Sequence, residues 1–163
     1  MMGLRGRVAF GVLVLAGLGQ YLPAQSPTLR QSSPQAVQPG ATTTLKLLGG
    51  DLQAPTQFWS SFPAEVVLTP NVPNNGQNAA EVSYDVKVPP NAPPGLHGVR
   101  VATARGASSL LLLFVDDLKS VAQAKPNNEP AKAQMLPLPC AVDGTQDNLA
   151  RGYYKFPAKK TRS

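Results

Sequence analysis

Few side chains in this sequence have the chemistry of a catalytic residue, and those few are far apart. The chain has one histidine, His97, and one cysteine, Cys140. Nucleophilic catalysis needs a nucleophile within reach of a base, and a zinc site needs several His or Cys ligands at short spacing. No Gly-x-Ser-x-Gly segment is present either. The sequence therefore predicts no catalytic residues, and we interpret His97 as a structural residue at a strand start.

Two acidic pairs come nearest to a calcium site, because calcium prefers several carboxylate and carbonyl oxygens. Asp116 and Asp117 are adjacent, and adjacent side chains on a strand point to opposite faces. Asp143 and Asp147 are in a polar turn without the acidic series of a dedicated calcium loop. We interpret both pairs as solvated residues and predict no metal and no cofactor.

An aromatic cluster around Trp59 offers one possible ligand surface. In an extended strand the two faces hold alternate residues, with Phe58, Ser60 and Phe62 on one face and Gln57, Trp59 and Ser61 on the other. A lone tryptophan on an early strand of a layered sheet protein is usually part of the core, and we expect this for Trp59. The alternative is that Phe58 and Phe62 point inward, which leaves Trp59 outside as a ligand-binding residue.

The elements that position these residues are predicted strands. In residues 81–88 apolar and polar residues alternate, which is typical of a strand with one buried face. The proline-rich residues 88–95 cannot continue a hydrogen-bonded ladder, so the chain turns there. A second run starts at Val99 and a third covers 110–115. We predict three consecutive antiparallel strands.

Four earlier segments have the same character, each bounded by proline or glycine, and they cover residues 28–31, 42–48, 57–62 and 65–69. The total is about seven short strands with turn signals every ~8–12 residues, and no segment has helical periodicity. We predict an all-β sandwich over residues 25–118. Its core alone must hold it, since one cysteine allows no internal disulfide.

The run from Leu110 to Val115 is apolar throughout instead of alternating. Both faces of such a strand need cover. Either a loop or the twist of the sheet shields the outer face, or that face packs on a partner, for which we expect a following β module or a cell-surface component.

Residues 1–24 have the three parts of a secretory signal. Arg5 and Arg7 form a positive front, an apolar segment follows, and Leu22-Pro23-Ala24 precedes the expected cleavage after Ala24. The apolar segment of about 12 residues is shorter than the ~20 that span a bilayer as a helix. We predict a secreted or cell-surface protein without a stable membrane span after cleavage.

The distribution of charge argues against a nucleic-acid partner. The formal net charge is +6, but residues 150–163 hold five basic and no acidic residues, and residues 25–149 hold eight basic and nine acidic ones. The predicted sandwich is therefore nearly neutral. We interpret the basic tail as solvated and largely unordered.

Residues 119–139 are rich in charge, Asn, Pro and Ala, and we predict a linker there. Two further strands are predicted after it, in 140–145 and 152–156. Two strands cannot bury enough surface to be stable alone. We expect residues 140–163 to be the truncated start of a second β module.

Two resemblances accompany these predictions. Residues 42–117 resemble bacterial immunoglobulin-like domains of exported multidomain proteins, most clearly in Val88-Pro89-Pro90-Asn91-Ala92-Pro93-Pro94-Gly95-Leu96-His97-Gly98-Val99-Arg100-Val101. This resemblance implies an immunoglobulin-like sandwich. In that family an aromatic residue, usually Tyr, often stands at the position of His97, and its polar tip bonds back to the corner.

The second resemblance is to the opening of the bacterial pre-peptidase C-terminal domain. Leu138-Pro139-Cys140-Ala141-Val142-Asp143-Gly144-Thr145 resembles its first strand, and Gly152-Tyr153-Tyr154-Lys155-Phe156-Pro157-Ala158-Lys159-Lys160 resembles its second. Gly152 departs from the acidic residue that commonly precedes the aromatic pair. This resemblance implies that the chain is the amino-terminal portion of a longer exported protein.

Three functions follow from these observations. The first is a secreted, non-catalytic immunoglobulin-like module with a spacer, adhesion or interaction role at the N-terminus of a larger exported bacterial protein. The second is a carbohydrate- or surface-binding module that uses Trp59. The third, implied only by the second resemblance, is the accessory region of an exported peptidase or hydrolase.

Overall fold

The computed structural model of the chain describes residues 25–146 and 148–158. The expected secretory signal in residues 1–24 lies outside this part of the chain. The strands are β1 (Thr28–Ser33), β2 (Ala36–Val37), β3 (Thr42–Gly50), β4 (Pro55–Ser60), β5 (Glu65–Leu68), β6 (Glu81–Lys87), β7 (Gly95–Thr103), β8 (Gly106–Ala107), β9 (Leu111–Val115), β10 (Ser120–Ala122), β11 (Gln134–Met135), β12 (Ala141–Asp143) and β13 (Tyr154–Lys155). A single turn of 3-10 helix, Pro130–Lys132, precedes β11. Within the described residues, no helix has the length and apolarity needed to cross a membrane.

Two sheets form the body of the molecule. The first sheet has the strand order β1-β3-β6-β5, and the second has the order β2-β9-β7-β4 with β8 beside β7. Without the two-residue strands, this is the order A-B-E-D and G-F-C of an immunoglobulin-type sandwich. All seven strands predicted for the sandwich are present, and the predicted all-β, immunoglobulin-like fold is confirmed.

The pairing of β6 differs from the prediction of three consecutive antiparallel strands. β6 pairs with β3 and β5 in the first sheet, and β7 pairs with β9 and β4 in the second. The proline-rich corner between them therefore carries the chain from one sheet to the other, and Gly95 provides the re-entry with φ 142°. A period of two shows that a strand has a buried face but not which strand lies beside it.

The space between the sheets is filled by the inward side chains of both. The fully buried apolar side chains include Leu45 and Leu47 of β3, Val86 of β6, Val99 and Val101 of β7, and Leu113 of β9. The described chain buries this core without a disulfide, because Cys140 is free. Burial of such side chains contributes roughly 1.5–3 kcal/mol each, so the core is the main source of stability.

The outer face of the first sheet is mostly polar, and four of its charged side chains form two ion pairs. Lys46 bonds Glu81 at 2.8 Å between strands β3 and β6, and Lys87 bonds Glu65 at 2.9 Å between β6 and β5. Thr44 donates a hydrogen bond to Asp85 at 2.8 Å on the same face. This face has the composition of a sheet surface that is in contact with water.

Residues 119–139, expected to form a linker, contain β10 and β11. β10 pairs in parallel with β12, and β11 pairs in parallel with β13. The two strands predicted after the linker are thus present, but they pair with the linker and not with each other. The side chain of Gln134 holds this segment, since its amide donates to the Ala122 carbonyl at 2.9 Å and accepts from the Ala124 N–H at 2.8 Å. Such side-chain to backbone bonds leave no apolar pattern in a sequence.

Candidate functional site

Trp59 lies on the outer face of the second sheet, with 47% of its surface exposed. The prediction that it belongs to the core is therefore wrong, and the alternative from strand parity is the arrangement found. Phe58 contacts the core and meets Tyr84 edge-on, with 5.1 Å between ring centroids. Phe62 is 3% exposed and meets His97 edge-on at 5.3 Å. Two inward rings bury more apolar surface than one, which decides the orientation of the strand.

A shallow depression adjoins the indole ring. Arg100 of β7 lies directly opposite Trp59 of β4, and Ala102 lies opposite Gln57. Ala107 of β8 pairs with Ala102 on the other side. The two alanines leave room between the longer side chains, and the resulting depression has a volume of about 300 Å³. We call these five residues, Gln57, Trp59, Arg100, Ala102 and Ala107, the tryptophan depression.

The same outer face carries a group of large apolar side chains on β7 and β9 and at the residue before β9. Leu96, Leu110, Leu112 and Phe114 are 54%, 48%, 55% and 53% exposed, and we call them the apolar stripe. In the register of the strands Leu96 lies opposite Phe114, and Gly98 lies opposite Leu112. The side chain of Leu110 lies over Gly98, where an added Cβ would be 2.7 Å from Leu110 Cδ1.

The inner and outer faces of β9 thus have different surroundings. Leu113 and Val115 are buried, whereas Leu112 and Phe114 are half exposed. Of the two explanations offered for the apolar run, shielding by a loop or by sheet twist is not found for these side chains. Within residues 25–146 and 148–158, the outer face of the second sheet is uncovered around these side chains.

His97 ties the proline-rich corner to the second sheet. Its Nε2 lies 3.0 Å from the carbonyl oxygen of Pro93, and its Nδ1 lies 3.2 Å from Ser61 Oγ. A carbonyl oxygen only accepts, so Nε2 carries the proton and Nδ1 accepts from the Ser61 hydroxyl. The Gly98 N–H in turn donates to Ser61 Oγ at 3.0 Å. His97 therefore makes the bond to the corner that the resemblance assigns to an aromatic side chain.

Ser61 and His97 also have the contact of a nucleophile with a base, and the sequence did not suggest this pair. A catalytic histidine is usually oriented by a carboxylate, which stabilises the charged imidazole. Here Nε2 of His97 bonds a backbone carbonyl, and Ser61 Oγ already accepts a hydrogen bond from the Gly98 N–H. The contacts satisfy backbone groups at a strand junction, which is a structural role.

The acidic residues considered for calcium are in separate places. Asp116 Oδ1 accepts from the Leu118 N–H at 2.9 Å, and Asp143 Oδ1 accepts from the Gln35 N–H at 3.0 Å. Asp117 is exposed, and Asp147 lies outside the described residues. Among the residues that the structure describes, no three His, Cys, Asp or Glu side chains are grouped so that they could hold a metal ion. Cys140 is a partly exposed free thiol.

Comparison with known proteins finds only weak structural similarity. No family model matches the chain, and no curated protein matches it. One similar solved structure is the surface glycan-binding protein SGBP-B of the Bacteroides ovatus mixed-linkage glucan utilization locus, in complex with a mixed-linkage heptasaccharide. Its TM-score is 0.37, with 16% identity over 60% of this chain and 24% of that chain. This chain thus covers about a quarter of that protein's length.

A second similar structure is the filamin domain of Lin-41, with a TM-score of 0.36 and 12% identity over 56% of this chain and 92% of that chain. The strand order of the chain itself defines the class, an immunoglobulin-like β-sandwich. The two outer faces of this sandwich differ, because that of the first sheet is mostly polar and that of the second sheet is largely apolar.

Proposed function

We propose that the chain is a secreted, non-catalytic immunoglobulin-like module that binds a partner through the outer face of its second sheet. The observation that carries this proposal is the contrast between the two outer faces. On the first sheet four charged side chains form two ion pairs, whereas the apolar stripe leaves four large apolar side chains about half exposed on and beside β7 and β9. Contiguous exposed apolar surface rimmed by polar residues marks an interaction site.

Substitutions on the two faces test the proposal in the chain that starts at Gln25. We expect this chain to bind a hydrophobic dye and to self-associate in light scattering, because the apolar stripe is uncovered. The double variant Leu112→Thr, Phe114→Thr should lose both properties while keeping its melting temperature within a few degrees. The matched control is Val67→Thr on the first sheet, where Val67 is 62% exposed. This control should change neither dye binding nor self-association. A monomeric wild-type chain that binds no dye contradicts the proposal.

A second candidate function is carbohydrate binding at the tryptophan depression. The observation in its favour is that Trp59 is half exposed beside Gln57 and Arg100, whose side chains can donate hydrogen bonds to hydroxyl groups. An exposed indole supplies a rigid apolar plane, on which the C–H face of a sugar ring can stack. Small-molecule sites start at about 300 Å³, so the depression suits one sugar residue.

A glycan array tests this candidate, with Trp59→Ala as the diagnostic variant. We expect saccharide binding that falls at least about tenfold in Trp59→Ala, because the stacking plane is removed. Phe114→Ala is the control, since Phe114 is equally exposed on the same face but outside the depression. Equal loss in both variants would point to nonspecific adhesion of the apolar face.

We further propose that residues 25–118 are the module, that 119–139 connect it, and that 140–163 open a second β module of a larger exported bacterial protein. An exported peptidase or hydrolase, with this chain as its accessory region, is one such protein. The location of the core supports the first boundary, because its buried cluster runs from Leu29 to Val115. A chain of residues 25–118 should therefore melt cooperatively, and circular dichroism would reveal a failure to do so.

A further inference from the structure

Arg100 is the charged residue in the tryptophan depression, and it is held in place. Its Nη1 donates to the Ser108 carbonyl oxygen at 2.8 Å. Ser108 is itself fixed to β7, because its N–H donates to the Val101 carbonyl at 2.8 Å and its Oγ accepts from the Val101 N–H at 3.0 Å. The guanidinium is therefore anchored at one nitrogen, and its other N–H donors remain for a ligand.

Arg100 has no acidic partner among the described residues, unlike three other basic residues of the sandwich. Lys46, Lys87 and Arg105 of the same sandwich each pair with a carboxylate, at 2.8 Å, 2.9 Å and 2.8 Å. The bond that Arg100 makes is to a neutral carbonyl, which leaves its positive charge uncompensated. An anchored guanidinium without a counter-charge, exposed at the rim of a depression, is suited to bind a carboxylate or a sulfate.

A second exposed group that can contact a ligand lies beside Arg100. Trp59 lies directly opposite on the adjacent strand, so the indole plane and the guanidinium are neighbours across one strand spacing. The ring contacts among described residues do not include one between Arg100 and Trp59, and both groups are exposed. Ala102 and Ala107 form a small, uncharged floor beside them.

We propose that the tryptophan depression binds an acidic saccharide, a sugar that carries a carboxylate or a sulfate group. Trp59 stacks on the sugar ring, Arg100 bonds the acidic group, and the Gln57 amide bonds ring hydroxyls. This inference rests on the carbohydrate-binding candidate above and assigns its ligand class. A protein partner on the apolar stripe needs none of these three contacts, so the two proposals are independent.

The test compares ligands that share their sugar rings but differ in charge at the acidic group, by calorimetric titration of the full secreted chain. Tetragalacturonate and its fully methyl-esterified form share the same rings, and a sulfated galactan fragment and its desulfated form provide the sulfate arm. We expect at least one acidic form to bind about tenfold or more tightly than its neutral form, and to weaken as salt rises from 0.05 to 0.5 M.

Variants identify the residue responsible. Arg100→Gln should reduce acidic-ligand binding by about tenfold or more and leave the neutral form unchanged. The control Arg105→Gln removes an arginine that is paired with Asp51 outside the depression, and it should have no effect. Circular dichroism melts of both variants confirm that they are folded.

The outcomes separate the two levels of the proposal. If acidic and neutral forms bind equally and Trp59→Ala abolishes both, the depression is a saccharide site and the acidic ligand class is wrong. If Arg105→Gln weakens binding as much as Arg100→Gln, the effect is general electrostatics and the assignment to Arg100 fails. If the wild-type chain binds none of these saccharides and none on the array, the carbohydrate-binding candidate fails as well.

Discussion

At the scale of single residues, Tyr84 is one of three described residues that have a buried side-chain polar atom without a hydrogen-bond partner. Its side chain is 4% exposed in the core, and its hydroxyl has no hydrogen-bond partner among the described residues. Burial disfavours the phenolate and raises the pKa of Tyr84 from 10.0 to about 12. An unpaired buried hydroxyl costs free energy, so the ring contributes to stability and the oxygen opposes it.

Replacing Tyr84 by Phe should therefore keep or raise the free energy of unfolding, by up to about 2 kcal/mol, in urea denaturation at pH 8. Tyr154→Phe, at an exposed tyrosine, is the control and should be neutral. A loss of more than about 1 kcal/mol in Tyr84→Phe would mean that the hydroxyl makes a stabilising bond.

The same substitution changes the dependence of stability on pH. Tyr84 ionises near pH 10 in the unfolded chain and near pH 12 in the folded one, so between these values the folded state binds more protons. Its contribution is complete below pH 10 and is lost as the pH rises towards 12. The variant Tyr84→Phe should show a smaller decline over this window than the wild-type chain.

Two features of single residues could not be predicted from the sequence pattern. The parity of residues 57–62 offered two orientations, and only the contacts of Phe58 with Tyr84 and of Phe62 with His97 decide between them. Arg100 carried no signal as a site residue, because neither its anchor at Ser108 nor its lack of an acidic partner is visible along the chain.

At the scale of elements, the close approach of β1 and β3 depends on a glycine. Gly49 lies opposite Leu29 in the register, beside the point where β1 is irregular between Leu29 and Gln31. A Cβ added at Gly49 would overlap the backbone carbonyl of Thr28, whereas one added at Gly50 would be 3.1 Å from the Thr28 hydroxyl oxygen. A side chain can move away, but a backbone in a sheet cannot do so without losing its pairing.

The two adjacent glycines therefore form a matched pair for a stability measurement. Gly49→Ala should lower the free energy of unfolding by about 2 kcal/mol or more, because β1 must shift away from β3. Gly50→Ala should cost less than about 1 kcal/mol in the same urea titration. Equal costs in the two variants would show that the contact with the Thr28 carbonyl does not constrain the strand.

Strand prediction succeeded for the seven strands of the sandwich, which showed apolar alternation or, in 110–115, a continuous apolar run. β2 and β8 have two residues each, which is too few to show a period. β10 and β11 lie in a segment whose composition suggested a linker. The bonds of the Gln134 side chain to Ala122 and Ala124, which hold this segment, leave no apolar pattern in the sequence.

At the scale of the whole molecule, the fold could be predicted from the sequence, whereas the proposed binding face could be predicted only in part. The apolar run 110–115 indicated that one outer face needs cover, but the position of Trp59 and Arg100 on that same face depends on how β4, β7 and β9 lie side by side. The sheet brings together residues from three separate parts of the chain. Because the outer face of the first sheet is mostly polar, we propose the second sheet as the face for partners.

The parallel pairing of β2 with β9 has a mechanical consequence. The Phe114 N–H donates to the Gln35 carbonyl and the Asp116 N–H donates to the Val37 carbonyl, each at 3.0 Å. The two paired segments lie near the first and the last residues of the sandwich in sequence. Tension transmitted to these parallel strands from opposite ends slides them along each other, so their bonds resist together instead of opening in sequence. When the sandwich is stretched between its two ends, we expect its resistance at this strand pair, and single-molecule pulling can measure the force.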